Sequence, residues 1–567
     1  MKQIFQSLKN GETIIQDTPA PSLMPQHLLI KTKKTLVSSG TERMLVDFGK
    51  ANIIKKAAQQ PDKVKLVIEK ILSNGIKPTL ESVFAKLDEP LPIGYCNVGE
   101  VIKIGKGDTN IRVGDRVVSN GFHAEVVRAP FNLCAKVPDN VTDDQAAFTV
   151  LGSIALQGIR LIKPTLGETI VVTGLGLVGQ LTVQLLKANG CKVIGIDMDK
   201  TKCELAESFG AETINLSNNE DPIKISEMHT GGRGVDGVII SAATSSSEPV
   251  HQAAKMCRKR GRIVLIGVTG LELSRSDFYE KELTFQVSCS YGPGRYDPNY
   301  EDKGQDYPFG FVRWTEQRNM EAVLDMISMG NISLDKLVSH RYELEDASNA
   351  YELITGSKRS LGIILDYPDS GNGIEEDAII LNSDTEKKNK KTNINLSFIG
   401  AGGYSSSTLV PAFNRSKVNF STIASSTGMS ATNLGKKYKF NQSTTNTEHV
   451  FKDDSDAVVI TTRHDTHAKF VIEALKNNKS VFVEKPLCIS LDELNEIKKI
   501  YFGEKCKKSS PIIMVGFNRR FSPHVKKIKE LLSSTDEKKA FIMTGNAGFI
   551  PKNHWTQDES VGGGRVV

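Results

Sequence analysis

Short apolar runs punctuate the chain, and several lead into stretches whose apolar positions recur at helical spacing. Glu168 to Thr173 reads as a β-branched strand, a glycine turn follows, and a helix with its apolar face at helical spacing runs on to Gly190. Lys192 to Ile196 supplies the next strand, and VDGVIISAA (235–243) and RIVLIGV (262–268) repeat the rhythm. This pattern predicts an α/β fold with a parallel sheet. The same order returns further on. NINLSFIGAGGYSSSTLVPAF (393–413) gives strand, glycine turn and helix, NFSTIAS and DAVVITT (456–462) give two more strands, and a helix reaches Asn478. Next, the apolar run Val481-Phe482-Val483 stops abruptly at Glu484-Lys485-Pro486, two charges and a ring that cannot donate to a sheet ladder. The two halves do not read as copies of one repeat. Between them DYPDSGNGIEEDAIILNSDTEKKNKKTN (366–393) is polar, charged and poor in aromatics apart from the short AIIL at 378–381, which predicts a linker over 367–392.

Length and composition set bounds on that picture. A chain of 567 residues exceeds what one core serves, and 39% hydrophobic with 24% charged is ordinary for a globular protein, so several domains are expected. The net charge of +6 is spread over 72 basic and 66 acidic residues, with a basic block only at Lys387 to Lys391. Nucleic acid is therefore not an expected partner. The eight cysteines form no C-x-x-C pair, which reads as reduced thiols. The start, MKQIFQSLKNGE, lacks an apolar signal core and no apolar run suffices to span a bilayer, so a cytoplasmic protein without membrane insertion is expected.

Gly174-Leu175-Gly176-Leu177-Val178-Gly179 fits G-x-G-x-x-G between strand and helix. Gly174 allows the tight turn, Gly176 lets the backbone approach a pyrophosphate at the helix N-terminus, and Gly179 lets helix and strand pack closely. Asp197, at the end of the next strand, can accept hydrogen bonds from an adenosine ribose, which predicts NAD rather than NADP at this site.

VSSGTE (37–42), PIGYCNVGEVIKIG (92–105), VGDRVV (113–118), the nucleotide unit and LVSHRYELEDASNAYELI (337–354) together resemble the medium-chain alcohol dehydrogenases. The resemblance implies a GroES-like β domain over 1–150, with 330–366 returning to it, and a Rossmann domain over 151–329. In zinc members of that family a cysteine stands where Ser39 is, and a histidine and glutamate stand where Tyr95 and Cys96 are. Ser39 and Tyr95 are poor zinc ligands and Cys96 alone cannot hold the ion, so no metal is expected. Hydride chemistry would then rest on positioning and on the hydroxyls of Ser39, Thr41 or Tyr95; the competing reading is that they cap turns. SCSYGPGRYDPNYEDKGQDYPFGFVRWTEQRN (288–319) interleaves four tyrosines, two phenylalanines and a tryptophan with three arginines. It reads either as a sugar or nucleotide site, with Arg295 and Trp314 as candidate substrate residues, or as a packed plug or subunit contact.

In the second half Gly400-Ala401-Gly402-Gly403-Tyr404-Ser405 carries a serine where the third glycine belongs, and Ser425-Ser426-Thr427 puts no acid at the ribose position. NAD and NADP are both allowed there. ITTRHDTHA, FVEKPL and VGFNRRFSP (515–523) resemble the Gfo/Idh/MocA oxidoreductases, with a Rossmann domain over 393–510 and the start of an α+β substrate domain over 511–567. The resemblance implies that Lys485 hydrogen-bonds the substrate hydroxyl over the nicotinamide, while Thr461, His464, His467 and Glu484 line the cofactor. A lysine at a strand's carboxyl end can stabilise a developing alkoxide; a solvated lysine is the bland reading. His464 and His467 alone are too few for a metal site. PIIMVGFNRRF and AFIMTGNAGFI read as the first strands of a second sheet, and the chain is expected to be C-terminally incomplete, lacking the acid–base partner the family gives its lysine. The join of the two halves resembles the two-domain bacterial oxidoreductases of surface-polysaccharide contexts. The expected function is NAD(P)-dependent hydride transfer to or from a hydroxyl or carbonyl carbon of a sugar or nucleotide sugar, in a homo-oligomer. The alternative is a nucleotide-binding module or scaffold with one or both sites inactive.

Overall fold

The computed structural model describes residues 1–59, 62–65, 67, 83, 87, 89–356, 358–368, 376–382, 394–534, 536–542, 544, 550, 552 and 554–564. The chain divides into two compact units, one built mainly from residues up to 368 and the other from 376 onward together with Thr18–Ser22.

The first unit opens with β1 (Lys2–Gln6), β2 (Thr13–Asp17) and β3 (His27–Val37). β4 (Leu91–Pro92), β5 (Asn97–Ile104), β6 (Arg116–Ser119), β7 (Val126–Pro130) and β8 (Cys134–Lys136) follow. A helix over Thr149–Ile162 leads to β9 (Thr169–Thr173), β10 (Lys192–Asp197), β11 (Glu212–Asn215), β12 (Val235–Ile240), β13 (Cys257–Leu265) and β14 (Thr284–Val287), and the chain comes back through β15 (Val338–Glu343) and β16 (Gly362–Asp366). β16 lies antiparallel to β3 with Ile364 opposite Leu36, so residues far apart in sequence close one β domain around β3. The second sheet of this unit runs β11-β10-β9-β12-β13-β14 and is parallel throughout. That is the doubly wound order, reversing at β9, where ligands of such sheets bind beyond the strand carboxyl ends. Leu36, Cys96 and Val98 of the β domain share one apolar cluster with Ile170, Val172, Leu175 and Leu181 of the parallel sheet and its first helix, which fixes the two layers against each other.

The second unit holds β17 (Ala378–Ile380), β18 (Asn395–Ile399), β19 (Asn419–Ala424), β20 (Gln442–Thr444), β21 (Ala457–Ile460), β22 (Ser480–Val483) and β23 (Ile513–Val515). Its sheet runs β17-β20-β19-β18-β21-β22-β23, the same doubly wound order reversing at β18, with β17 added antiparallel on one edge. Two expectations change here. Ile512 to Val515 does not begin a second sheet: β23 pairs in parallel with β22, Val481 opposite Ile513, and completes the first. A three-residue strand is too short to reveal from its sequence which edge it joins. Ala540 to Ile542 forms no strand, and 543 and 545–549 lie outside the described residues. Within the segment read as a linker, Ala378–Ile380 is a strand of this sheet, its backbone pairing with the free edge of β20. Lys387 to Lys391 lie outside the described residues.

Candidate functional site

At the carboxyl end of β9 the chain turns through Gly174, whose φ of +94° is left-handed and whose added Cβ would lie 2.6 Å from the Ala242 nitrogen. Only glycine fits there. Gly176 has the opposite surroundings: an added Cβ would meet nothing within 4 Å, so the backbone at the N-terminus of the Leu177–Ala188 helix is open to a ligand. Gly179 packs so tightly on the turn that a Cβ would lie 2.0 Å from the Gly174 oxygen. Asp197 ends β10, and its carboxylate accepts from the Leu175 N–H at 2.7 Å and the Asp199 N–H at 2.9 Å, which holds it beside the glycine turn. These residues fit a dinucleotide with its pyrophosphate over Gly176 and a ribose near Asp197.

A hydroxyl cluster forms in the same unit where β3 runs into the Ser39–Lys50 helix. The Tyr95 hydroxyl donates to Ser38 Oγ at 2.6 Å and lies 3.3 Å from Thr41 Oγ1. Burial pushes the Tyr95 phenol well up, so it stays protonated. Ser39 is the first helical residue, partly exposed, and among the described residues no hydrogen bond joins it to this trio. Its neighbour Ser38 is the serine that meets the Tyr95 hydroxyl. Behind the trio, Glu42 is buried and accepts from the Ser38 N–H at 2.8 Å and from the Tyr351 hydroxyl, with His123 Nε2 at 3.1 Å. Ser39-Gly40-Thr41-Glu42 has the S-x-x-E form of a helix start, a signal that would have flagged Glu42; nothing local marks Ser38 or His123.

The same residues do not fit zinc. Tyr95 is engaged with two hydroxyls, and Cys96 is fully buried with its thiol pushed far up by burial, which disfavours the thiolate a metal requires. Among the described residues no group of three or more His, Cys, Asp or Glu is placed to hold a metal ion.

The 288–319 segment is partly self-packed, with Tyr296, Phe309 and Phe311 left exposed. Arg295 pairs with Glu301 at 2.5 Å, Arg318 with Asp306 at 2.5 Å, and Tyr300 stacks on Tyr307 with centroids 5.4 Å apart. The Trp314 ring has the guanidinium carbons of Arg160 and Arg313 at 3.3 and 3.8 Å from its centroid. Two cations that close take opposite faces of the indole, which leaves no free face for a sugar. Asn132 donates to the Tyr300 carbonyl and Gln317 to the Phe131 and Cys134 carbonyls, so the segment pins the β domain to the parallel sheet's side of the unit.

In the second unit β18 turns through Gly400 at φ +104°, where an added Cβ would lie 2.7 Å from Thr461 Oγ1. Thr461 itself donates to the Gly400 carbonyl at 2.8 Å. Added Cβ atoms at Gly402 and Gly403 would meet nothing within 4 Å, while Ser405 is buried and, among the described residues, its hydroxyl has no partner. The helix after this turn begins with a π turn at Ser405–Leu409, and Ser407 Oγ donates to the Gly403 carbonyl at 2.7 Å. This cradle also fits a pyrophosphate. Lys485 stands two residues beyond the end of β22, exposed, and among the described residues its ammonium has neither hydrogen bond nor ion pair. Lys485 is joined to Pro486 by a cis peptide bond. His467 is fully buried, with Nδ1 2.6 Å from the Pro486 carbonyl oxygen and Nε2 3.2 Å from that of Thr462, so it holds the turn that carries Lys485 from behind. His464 sits closer to the surface, its Nδ1 2.8 Å from the Gly562 carbonyl oxygen and its ring edge-on to Trp555. Its pKa is lowered, first by burial, with the Gly562 hydrogen bond opposing and the proximity of His467 and Lys485 adding to the shift. Glu484 is half-buried, and burial raises its carboxyl. Asn518 donates to the Tyr404 hydroxyl at 3.1 Å, which brings the loop after β23 back to the glycine turn.

Residues 178–302 match the family of zinc-binding dehydrogenases, and residues 394–517 match the oxidoreductase family with an NAD-binding Rossmann fold. Over 335 residues the chain is 24% identical to D-xylulose reductase of Scheffersomyces stipitis, covering 50% of this chain and 84% of that protein. It is 24% identical over 335 residues to (R,R)-butanediol dehydrogenase of Bacillus subtilis, covering 52% of this chain and 89% of that one. Among solved structures, alcohol dehydrogenase from Thermus sp. ATN1 shares the fold with a TM-score of 0.50 at 20% identity, over 65% of this chain and 100% of that one. Fold, glycine cradles and the two family matches define an NAD(P)-dependent oxidoreductase of the dehydrogenase kind. More particularly, the chain joins a medium-chain alcohol dehydrogenase-like half, GroES-like domain plus Rossmann domain, to a second Rossmann domain of the Gfo/Idh/MocA type.

Proposed function

We propose that the chain carries two nicotinamide-dependent sites that move hydride to or from the hydroxyl or carbonyl carbon of a sugar or nucleotide sugar, in surface-polysaccharide biosynthesis in the cytoplasm. The observation that carries this reading is Lys485, an exposed cation with no partner among the described residues, beyond a strand end in a sheet whose glycine turn is open at Gly402. A bound dinucleotide would supply the hydride acceptor or donor. Lys485 would then hold the reacting oxygen and favour its negative charge as the carbon–hydrogen bond breaks. In the first site the Ser38, Thr41 and Tyr95 hydroxyls would orient the substrate oxygen without a metal, with Ser39 at the same helix start. NAD is assigned to the first site, because the Asp197 carboxylate would oppose a 2′-phosphate, and either NAD or NADP to the second, where serines and a threonine take that place.

Single-turnover hydride transfer tests this on the full chain, with NAD(H) or NADP(H) and a panel of nucleotide sugars, D-xylulose and butane-2,3-diol. Tyr95→Phe should slow first-site transfer and Lys485→Met second-site transfer, each by about a hundredfold or more and with NADH still bound. Full binding with no transfer from any panel member would instead favour the nucleotide-binding module.

A further inference from the structure

The first site contains a buried pair that the hydride chemistry leaves unassigned. His123 has no exposed surface, and its two ring nitrogens are both engaged, Nε2 with Glu42 at 3.1 Å and Nδ1 with Thr35 Oγ1 at 2.7 Å. Thr35 is itself backed by the Tyr367 hydroxyl at 3.2 Å. Glu42 accepts from the Ser38 N–H at 2.8 Å, so the imidazole reaches the start of the helix that carries Ser38 and Thr41. It also touches the turn that carries Tyr95. A Cβ on Gly94 would lie 2.6 Å from the ring carbons of His123, and the His123 N–H donates to the Ile93 carbonyl at 2.9 Å. One ring therefore sets both arms of the hydroxyl trio, with no exposed surface through which water could take over its bonds.

We propose that His123 is a positioning residue of the first site, fixing the Tyr95 hydroxyl against those of Ser38 and Thr41 through Glu42 on one arm and Gly94 on the other. The proposal rests on the reading of that trio as the substrate-orienting group. A side chain that only filled the space would be replaceable by any ring of similar size. A positioning residue is replaceable only by one that keeps the bond to Glu42.

The test uses the full chain with the second site silenced by Gly402→Asp, and compares Tyr95→Phe, His123→Phe and His123→Gln, whose amide can still donate to Glu42. Butane-2,3-diol with NAD and D-xylulose with NADH serve as probes. His123→Phe should lower kcat about tenfold with KM within about twofold, and His123→Gln should restore most of it. The Tyr95 ring resonance, from 13C-tyrosine labelling and assigned by its loss in Tyr95→Phe, should move in His123→Phe and return in His123→Gln. Should His123→Phe fail to fold, Thr35→Val, of nearly the same shape, frees the other ring nitrogen and should lower kcat about threefold and move the same resonance. An unmoved Tyr95 resonance in the variant that folds overturns the proposal, with or without turnover of either probe. Full kcat in Tyr95→Phe would instead remove the hydroxyl reading on which the proposal rests.

Discussion

Glycines give the sharpest division of labour at the scale of single residues. Gly174 is required by the fold, since its φ of +94° and the Ala242 nitrogen leave no place for a side chain, whereas Gly176 and Gly402 face open space. Gly176→Ala and Gly402→Ala should each leave the thermal midpoint nearly unchanged, because a methyl there clashes with nothing, while weakening NADH binding at its own site about tenfold or more. Gly174→Ala should cost stability, by about 1–3 kcal/mol for a strained backbone, before any question of binding arises. Thermal melts alongside binding curves separate the cases; equal loss of stability at all three positions would contradict this assignment. The backbone roles of these glycines were legible because each sits in a local motif with fixed spacing, and so was the place of Lys485 just beyond a strand end. The places of Ser38, Glu42 and His123 were not, since they are set by contacts across 81 residues between Glu42 and His123 and across 309 between Glu42 and Tyr351. That Ser38 meets the Tyr95 hydroxyl while Ser39 opens the helix depends on where the helix starts, which no spacing rule resolves to one residue.

Among the elements, the 288–319 segment shows that one composition suits two purposes. Its aromatics and arginines suit a sugar, yet Trp314 lies between two guanidiniums and Arg295 is paired with Glu301. Tyr300 and Gln317 bond the segment to the β domain, while Tyr296, Phe309 and Phe311 stay exposed. The segment also carries a buried acid, Glu316, at the N-terminus of the Glu316–Ser328 helix, with both carboxyl oxygens lacking a partner among the described residues. Helix N-termini favour a negative charge, but burial wins here. It raises the Glu316 carboxyl to about 8, with the nearby Glu301 adding to the shift and Arg295 opposing it. The folded state thus keeps a proton that the unfolded chain releases near its ordinary value of 4.5, so this group's contribution is full below about 4.5 and is lost as pH rises through about 8. The thermal midpoint should fall between pH 5 and pH 8.5, and Glu316→Gln should flatten that slope and raise the midpoint at the alkaline end. Identical slopes in both proteins would contradict a buried, protonated Glu316. β17 and β23 make the related point for strands: three residues each, they acquire their place only from the edges of β20 and β22, which local sequence does not encode.

For the molecule as a whole, the repeated strand–glycine–helix order was enough to predict two Rossmann sheets, and both have the same doubly wound order. The β domain around β3 was legible only through family resemblance, because its closure by β15 and β16 joins segments some 300 residues apart, beyond the reach of any periodicity. No helix of the described residues is long and apolar enough to cross a membrane. The central claim is that one chain offers two separate dinucleotide cradles, and calorimetric titration of the full chain tests it most directly. Titrated with NADH and then NADPH, the chain should bind two dinucleotides in all, falling to one in Gly176→Asp and to one in Gly402→Asp, where the new carboxylate stands in the open space over the helix start. A stoichiometry of one that survives either substitution would contradict it.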